Sequence, residues 1–256
     1  MEIKNLAISA AQKAGRLLKE RLGDSGRIEF KGAVDIVTEM DRASEDQILT
    51  EIKKFFPEHG ILSEESAEIK TMSPYRWLID PLDGTTNYSH GFPVFCVSIA
   101  VENAGEVVLG VVYNPMLDEL FTAEKGGGAY LNGKKIFVSQ IKTLDKSLLA
   151  TGFPYDIRKT GETNLDHFSN FAVAAQAIRR AGSAALDMSY VACGRFDGFW
   201  EMKLKPWDVS AAGLIVKEAG GVLSDFKGRA FSIHGKETLA TNGLIHAEML
   251  SVLAKK

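Results

Sequence analysis

The apolar run Trp77-Leu78-Ile79 ends abruptly in Asp80-Pro81-Leu82-Asp83-Gly84-Thr85-Thr86-Asn87. A continuous strand would turn positions 80 and 83 to opposite faces. Pro81 cannot continue a central ladder and Gly84 permits a sharp turn, so the backbone can leave the strand and bring both carboxylates to one point. Magnesium prefers carboxylate and carbonyl oxygens and keeps several waters, which makes this strand end a candidate hard-cation site able to hold phosphate as well. The same residues could instead form a tight turn in which both carboxylates satisfy backbone amides. A third reading, an aspartyl-phosphate enzyme, needs its second acid two residues on, and ranks lower because the spacing here is three with Pro81 between.

The surrounding pattern shows what carries this segment. Ile3, Leu6, Ala7, Ala10, Ala14, Leu17 and Leu18 form one stripe at helical spacing, closed by Gly23 and Gly26. Thr38 with Asp41 reads as a capping box, followed by Ile48, Ile52, Phe55 and Phe56 on one face until Pro57. From Ile61 to Leu131 short β-rich runs predict a sheet, with Asn132-Gly133 as a hairpin turn between Ala129-Tyr130-Leu131 and Ile136-Phe137-Val138. Beyond residue 140 strands are expected at Leu148 to Thr151, near Ile178, at Phe196 to Met202 and at Val222 to Phe226. Helices are expected within 161–175, over Ser183 to Cys193, over Trp207 to Ala219 and after Asn242-Gly243. Residues 1–140 and 141–256 thus form two blocks, two sheets layered with helices in one unit.

With 45% hydrophobic and 25% charged residues the 256-residue chain suits a globular fold, and a net charge of −3 argues against nucleic acid as a partner. No apolar run approaches a membrane span and no export signal is visible. Cys96 and Cys193 sit in apolar stretches and read as small buried hydrophobes, so a reduced, cytoplasmic protein is expected.

Two more segments offer carboxylates. Ser63-Glu64-Glu65-Ser66 follows Ile61-Leu62 and is either a second strand-end ligand or a solvated turn. Asp208 in Pro206-Trp207-Asp208 opens a helix, where it is also an ordinary cap. Trp77 to Asn87 taken with Trp207 to Gly221 resembles the paired signature of the inositol monophosphatase family, and Asp35 to Asp41, Ile61 to Ser66 and Gly182 to Glu201 fit the same pattern in the same order.

That resemblance implies an α+β, layered αβαβα sandwich of the sugar-phosphatase type and magnesium-dependent hydrolysis of myo-inositol monophosphate, in line and without a covalent intermediate. It implies two to three Mg2+ per site: Glu64 on the first and a third ion, Asp80 bridging first and second, the Leu82 carbonyl on the first, Asp83 and Asp208 on the second. Thr85 would hydrogen-bond the attacking water, polarised by Asp41, whose capping role can coexist. Phosphate would sit on the amides of Gly84 and Thr85, close to Asp83 and Asp208. Ser183 and Ala184 would contact substrate hydroxyls through their backbone, and Glu201 would accept from them unless it is a surface carboxylate. Lys31 matches only approximately a loop lysine near the outermost metal. Arg179 and Arg180 read as a structural salt bridge or subunit contact, or as acceptors of a second phosphate. Lithium inhibition and a homodimer are expected by resemblance. A fructose 1,6-bisphosphate, nucleotide or histidinol phosphate substrate is the close alternative, and a non-catalytic regulatory binding role the distant one.

Overall fold

Strand alternation, helix capping and two buried central helices account for the architecture of the computed structural model, which describes residues 1–23, 28–30 and 36–255. Helix α1 (Ile3–Glu20) buries Leu6, Ala7, Ala10, Ala14 and Leu18, the stripe read from the sequence; Gly26 lies outside the described residues. Strands β1 (Ile28–Phe30) and β2 (Ile36–Thr38) pair antiparallel and lead into α2 (Glu39–Phe55). The capping box is present: Met40 N–H donates to Thr38 Oγ1 at 3.1 Å and Thr38 N–H to Asp41 Oδ2 at 2.7 Å. Ile48 and Ile52 are fully buried, but Phe55 is exposed. Its neighbour Phe56 takes the place on the core, at the i+4 position from Ile52, while Lys54 Nζ covers the Phe55 ring at 5.2 Å.

The first sheet runs in chain order: β3 (Gly60–Ser63), β4 (Tyr75–Asp83), β5 (Cys96–Asn103), β6 (Glu106–Asn114), β7 (Glu119–Glu124), β8 (Gly128–Leu131) and β9 (Lys134–Lys135). Only β3 and β4 are parallel. Asn132 and Gly133 adopt φ of 49° and 75°, the conformation a two-residue hairpin demands. The second strand of that hairpin stops at Lys135, because the chain is diverted: Val138 N–H bonds Ala219 O at 3.2 Å, and Phe137 is left exposed.

The second sheet has the order β11-β10-β12-β14-β13, from β10 (Leu148–Thr151), β11 (Ala177–Arg179), β12 (Gly198–Met202), β13 (Val222–Ser224) and β14 (Glu237–Thr241). Sequence reasoning missed β14, a central strand whose residues 238–241 are all buried and therefore show no apolar-polar alternation. The remaining helices are α3 (Thr85–Ser89), α4 (Leu165–Ala172), α5 (Ala184–Ala192), α6 (Pro206–Glu218) and α7 (His246–Leu253).

Period-2 patterning places these elements in layers. Trp77, Ile79, Ile99 and Val111 face α1 and α2, whereas the alternate residues Leu78, Ala100 and Val112 face Leu186, Ile215 and Val216 of α5 and α6. Phe199 and Ala240 close that inner core from the second sheet, and Trp200, Leu239 and Leu149 on its other face pack with Phe171 and Met249 of α4 and α7. The order of layers is helix, sheet, helix, sheet, helix: an α+β αβαβα sandwich. Among the described residues no helix is long and apolar enough to cross a membrane.

Candidate active site

The end of β4 is bent by one extra residue. Asp80 pairs with Ser98 and Asp83 with Cys96, so three steps on β4 are matched by two on β5, a bulge. Ser98 and Cys96 are two apart and share a face; their partners Asp80 and Asp83 therefore share it too, which is the convergence that Pro81 and Gly84 suggested. Gly84 has φ +102°, and a Cβ there would lie 2.9 Å from Val94 O, so both conformation and space require glycine. Helix α3 starts at the next residue, and Gly84, Thr85 and Thr86 line a cavity of about 280 Å³ with first-turn amides that have no intrahelical acceptor.

Around this strand end the other elements converge. Glu64 N–H donates to Ile79 O at 3.2 Å, which sets the end of β3 beside Asp80. From α2, the buried Asp41 accepts the Thr85 hydroxyl on Oδ1 at 2.7 Å while Oδ2 keeps the cap of its own helix, so the two bonds coexist. Thr85 Oγ1 is also 3.0 Å from Leu82 O; its single proton serves one of these acceptors, and Asp41 is the nearer.

The second half of the chain supplies the opposite wall. Ser183 caps α5, its hydroxyl donates to Asp83 Oδ2 at 2.7 Å, and Ala185 N–H donates to the same oxygen at 2.7 Å. The Ser183 side chain thus holds Asp83, and Ala184 stands beside it on the cavity wall. Asp208 lies in the first turn of α6 and accepts Lys205 N–H at 2.7 Å on Oδ2; it is a cap that also lines the cavity. Glu201 is buried at the end of β12, not a surface carboxylate, and its carboxylate occupies the space where a Cβ on Gly152 would stand. Asn87 ties the halves together, donating to Val94 O at 2.7 Å and Ala181 O at 2.8 Å.

Every sequence-derived site residue, Glu64, Asp80, Leu82, Asp83, Gly84, Thr85, Ser183, Ala184, Glu201 and Asp208, lines this one cavity, and Asp41 stands behind Thr85. Lys31 and Asp35 lie outside the described residues. Arg180 lines the cavity mouth, while the exposed Arg179 donates to Ile178 O at 3.1 Å. Two lining residues had no signal in the sequence. Gly152 is visible only through Glu201, and Asp187, inside an apolar helix, is buried with Oδ1 unpartnered.

The wall is rich in buried acids whose charged forms are disfavoured. Burial, then the charges of Glu64, Asp83 and Asp208, hold the Asp80 carboxyl well above the usual range. Burial and Asp83 push Asp208 up to about 8. Burial and Asp83 raise Glu201 to about 8 against the opposing charge of Arg180. Asp187 is raised by burial and by Glu201, and Asp83 by burial although Ser183 and Ala185 oppose it. Among the described residues no three such groups close into a finished ligand cluster; the carboxylates of Glu64, Asp80, Asp83 and Asp208 instead border a shared space. Hydrogen bonds at Asp80 and Asp208 engage one oxygen each, Asp80 Oδ1 with Leu82 N–H at 3.0 Å and Asp208 Oδ2 with Lys205 N–H. This all-oxygen set, in which neighbouring acids help to raise Asp80 and Asp208, fits a hard divalent cation that keeps part of its water.

Similarity to known proteins gives the family of this layered sandwich and its strand-end acids. The model of the Inositol monophosphatase family matches residues 1–256, and the chain belongs to that family. An inositol-1-monophosphatase of Synechocystis sp. is 46% identical over 251 residues, covering 97% of this chain and 88% of the relative. The Nus factor SuhB of Escherichia coli is 46% identical over 227 residues, 88% of this chain and 85% of the relative. The crystal structure of extragenic suppressor protein suhB from Bartonella henselae superposes with a TM-score of 0.92 at 42% identity, covering 98% of both chains. A structure described as inositol monophosphate bound SaIMPase-II gives 0.81 at 28% identity, covering 97% of this chain and 93% of that one. The chain is a phosphoric monoester hydrolase.

Proposed function

We propose that this phosphatase hydrolyses the monophosphate of a small polyol, myo-inositol monophosphate foremost, with two to three magnesium ions. One observation carries the reading. The cavity of a phosphate-cleaving enzyme is lined by Glu64, Asp80, Asp83, Asp187, Glu201 and Asp208, against which Arg180, Lys203 and Lys205 are the cationic lining residues. Lys203 is itself committed to Asp156 at 2.9 Å. Where these acids are ionised, a phosphate charge about 5 Å from one of them costs about 3 kcal/mol at an effective dielectric of about 20, so the ionised wall takes an anionic substrate only with cations. When bound, the ions lower the pKa of a water for attack and offset charge on the leaving oxygen.

The residues then divide the work. Glu64, Asp80, Asp83, Asp208 and the Leu82 carbonyl hold the cations. Asp41 accepts the hydrogen bond of the Thr85 hydroxyl, leaving the lone pairs of Thr85 Oγ1 to accept from and orient the attacking water. Gly84 and Thr85 amides receive the phosphoryl oxygens. Glu201 accepts from substrate hydroxyls. The structure described with bound inositol monophosphate supports the polyol, and exposed Arg180 at the mouth favours fructose 1,6-bisphosphate as a second substrate. A cytoplasmic homodimer accompanies the reading, tested by fractionation and light scattering. The 46% identity to a Nus factor motivates a binding role beside catalysis, tested by capture from lysate with the active enzyme. Phosphate release from inositol, fructose, nucleotide and histidinol phosphates with and without Mg2+ is the decisive assay. Equal turnover in chelator would overturn the metal reading, and no turnover of inositol phosphate the substrate.

A further inference from the structure

Helix α2 carries three buried polar residues, Asp41, Ser44 and Glu45, at i, i+3 and i+4, which places them on one face. Burying such a stripe is costly unless each member is bonded. Each is bonded to a different segment of the active site. Asp41 takes Thr85, as described. Ser44 Oγ, wholly buried, donates to Pro81 O at 2.7 Å, inside the bulge that turns Asp80 and Asp83 to one face. Glu45, 4% exposed, accepts Glu65 N–H on Oε1 at 3.3 Å, beside Glu64.

We infer that Ser44 and Glu45 are positioning residues: the polar face of α2 is the template that sets the spacing between Glu64 on the β3 end and the Asp80–Asp83 bulge. The backbone of each ligand-bearing segment is otherwise fixed on its strand side, by Glu64 N–H to Ile79 O and by pairing with β5. On the α2 side the Pro81 carbonyl and the Glu65 amide are held by these two side chains. Pro81 has no N–H of its own with which to anchor the bulge, so its carbonyl is the available handle. Removing either tether lets one acid drift relative to the others while the apolar contacts of Ile48, Leu49 and Ile52 keep the helix docked.

The inference rests on the cation reading above, and the test separates the two. Mn2+ binding is titrated by electron paramagnetic resonance on the whole protein, with kcat and KM measured in parallel, for wild type, S44A, E45L, E45Q and the exposed α2 control D46N. Loss of partners behind metal ligands weakens affinity by about 10–100-fold. S44A and E45L are expected to bind Mn2+ at least about tenfold more weakly and to lose kcat with KM for substrate within about threefold. E45Q keeps an acceptor oxygen and is expected near wild type, as is D46N. Wild-type Mn2+ affinity in S44A and E45L, or loss in E45Q equal to that in E45L, would overturn the template. No Mn2+ binding by wild type would instead overturn the cation reading itself. If E45L fails to fold, S44A against E45Q still decides.

Discussion

Asp41 can be probed at its two jobs separately, because its two oxygens serve different parts of the molecule. Oδ2 takes the N–H and the hydroxyl of Thr38, at 2.7 and 2.6 Å, and Oδ1 takes Thr85 Oγ1 at 2.7 Å. Asn at this position keeps one acceptor oxygen and turns the other into a donor facing donors. At least one buried donor is left unpaired, at about 1–3 kcal/mol. For a chain of this length about 1 kcal/mol moves Tm by about 2–4 °C, so D41N should melt about 2–12 °C below wild type. T38A loses the cap, about 1 kcal/mol, and one of the two Thr38 donors to Asp41 Oδ2, but leaves the Thr85 bond and should keep kcat within about threefold. T85A leaves the buried Asp41 Oδ1 without its donor, at about 1–3 kcal/mol, so it should also melt below wild type, and it should lose about 10²-fold in kcat, the cost of a misplaced reactant. D41N should show both losses. Melting by calorimetry and kcat for the three variants form the assay, with D41N/T85A completing a cycle in which the catalytic losses do not add. Full additivity, or a D41N that retains wild-type kcat, would refute the link from Asp41 through Thr85 to the reaction.

Gly84→Ala combines a left-handed backbone with a 2.9 Å approach to Val94 O; about 1–2 kcal/mol of strain plus the steric displacement should lower Tm and abolish most activity, whereas G91A, with open space, should cost strain alone. Comparing their melts and turnover checks this. Asp208, raised to about 8 by burial and Asp83, binds a proton in the folded state at pH where the unfolded chain has released it, so this group destabilises the protein progressively from about pH 4 up to about 8. In chelator at pH 8, D208N should therefore raise Tm while eliminating activity, and millimolar Mg2+ should stabilise wild type more than the variant; a lower Tm in chelator would contradict the charge argument. His59 has the opposite sign. Burial depresses its pKa below 6.5, and its Nδ1 accepts Trp77 Nε1–H at 3.0 Å, so its contribution is intact above about pH 6.5 and is lost as pH falls through the folded-state value. H59Q should flatten that acid limb in denaturant titrations at pH 5 to 7.

The legible parts of the fold were those in which one local rule acts alone. The α1 stripe, the Thr38 cap and the Asn132-Gly133 turn each follow from a few neighbouring side chains. Strand β14 was not, since burial on both faces erases alternation, and Phe55 was misplaced because two adjacent aromatics compete for one helical position. The acids of the site could be chosen from the sequence by their positions at strand and helix ends. Their convergence could not be fixed there: it depends on the β4–β5 register shift, which is a property of the partner strand. Asp187 was invisible for a related reason. An acid within Ala-Ala-Leu-Asp-Met-Ser reads as a solvent-facing break in an apolar helix, and only the packing of α5 between two sheets shows that no solvent face exists.

The position of α5 and α6 between the sheets has a consequence for how the chain is made. Seven strands of the first sheet, with α1 and α2 on one side, are synthesised before either central helix. Until α5 and then α6 leave the ribosome, the opposite face, with Leu78, Ala100, Val112 and Phe121, lacks its cover. Asp80 and Asp83 are complete in that nascent chain, yet Ser183, Ala185 and Asp208 do not exist. The emerging half thus exposes an apolar face beside an incomplete set of acids, and the first turn of α6 delivers the last acid together with the helix that shields that surface.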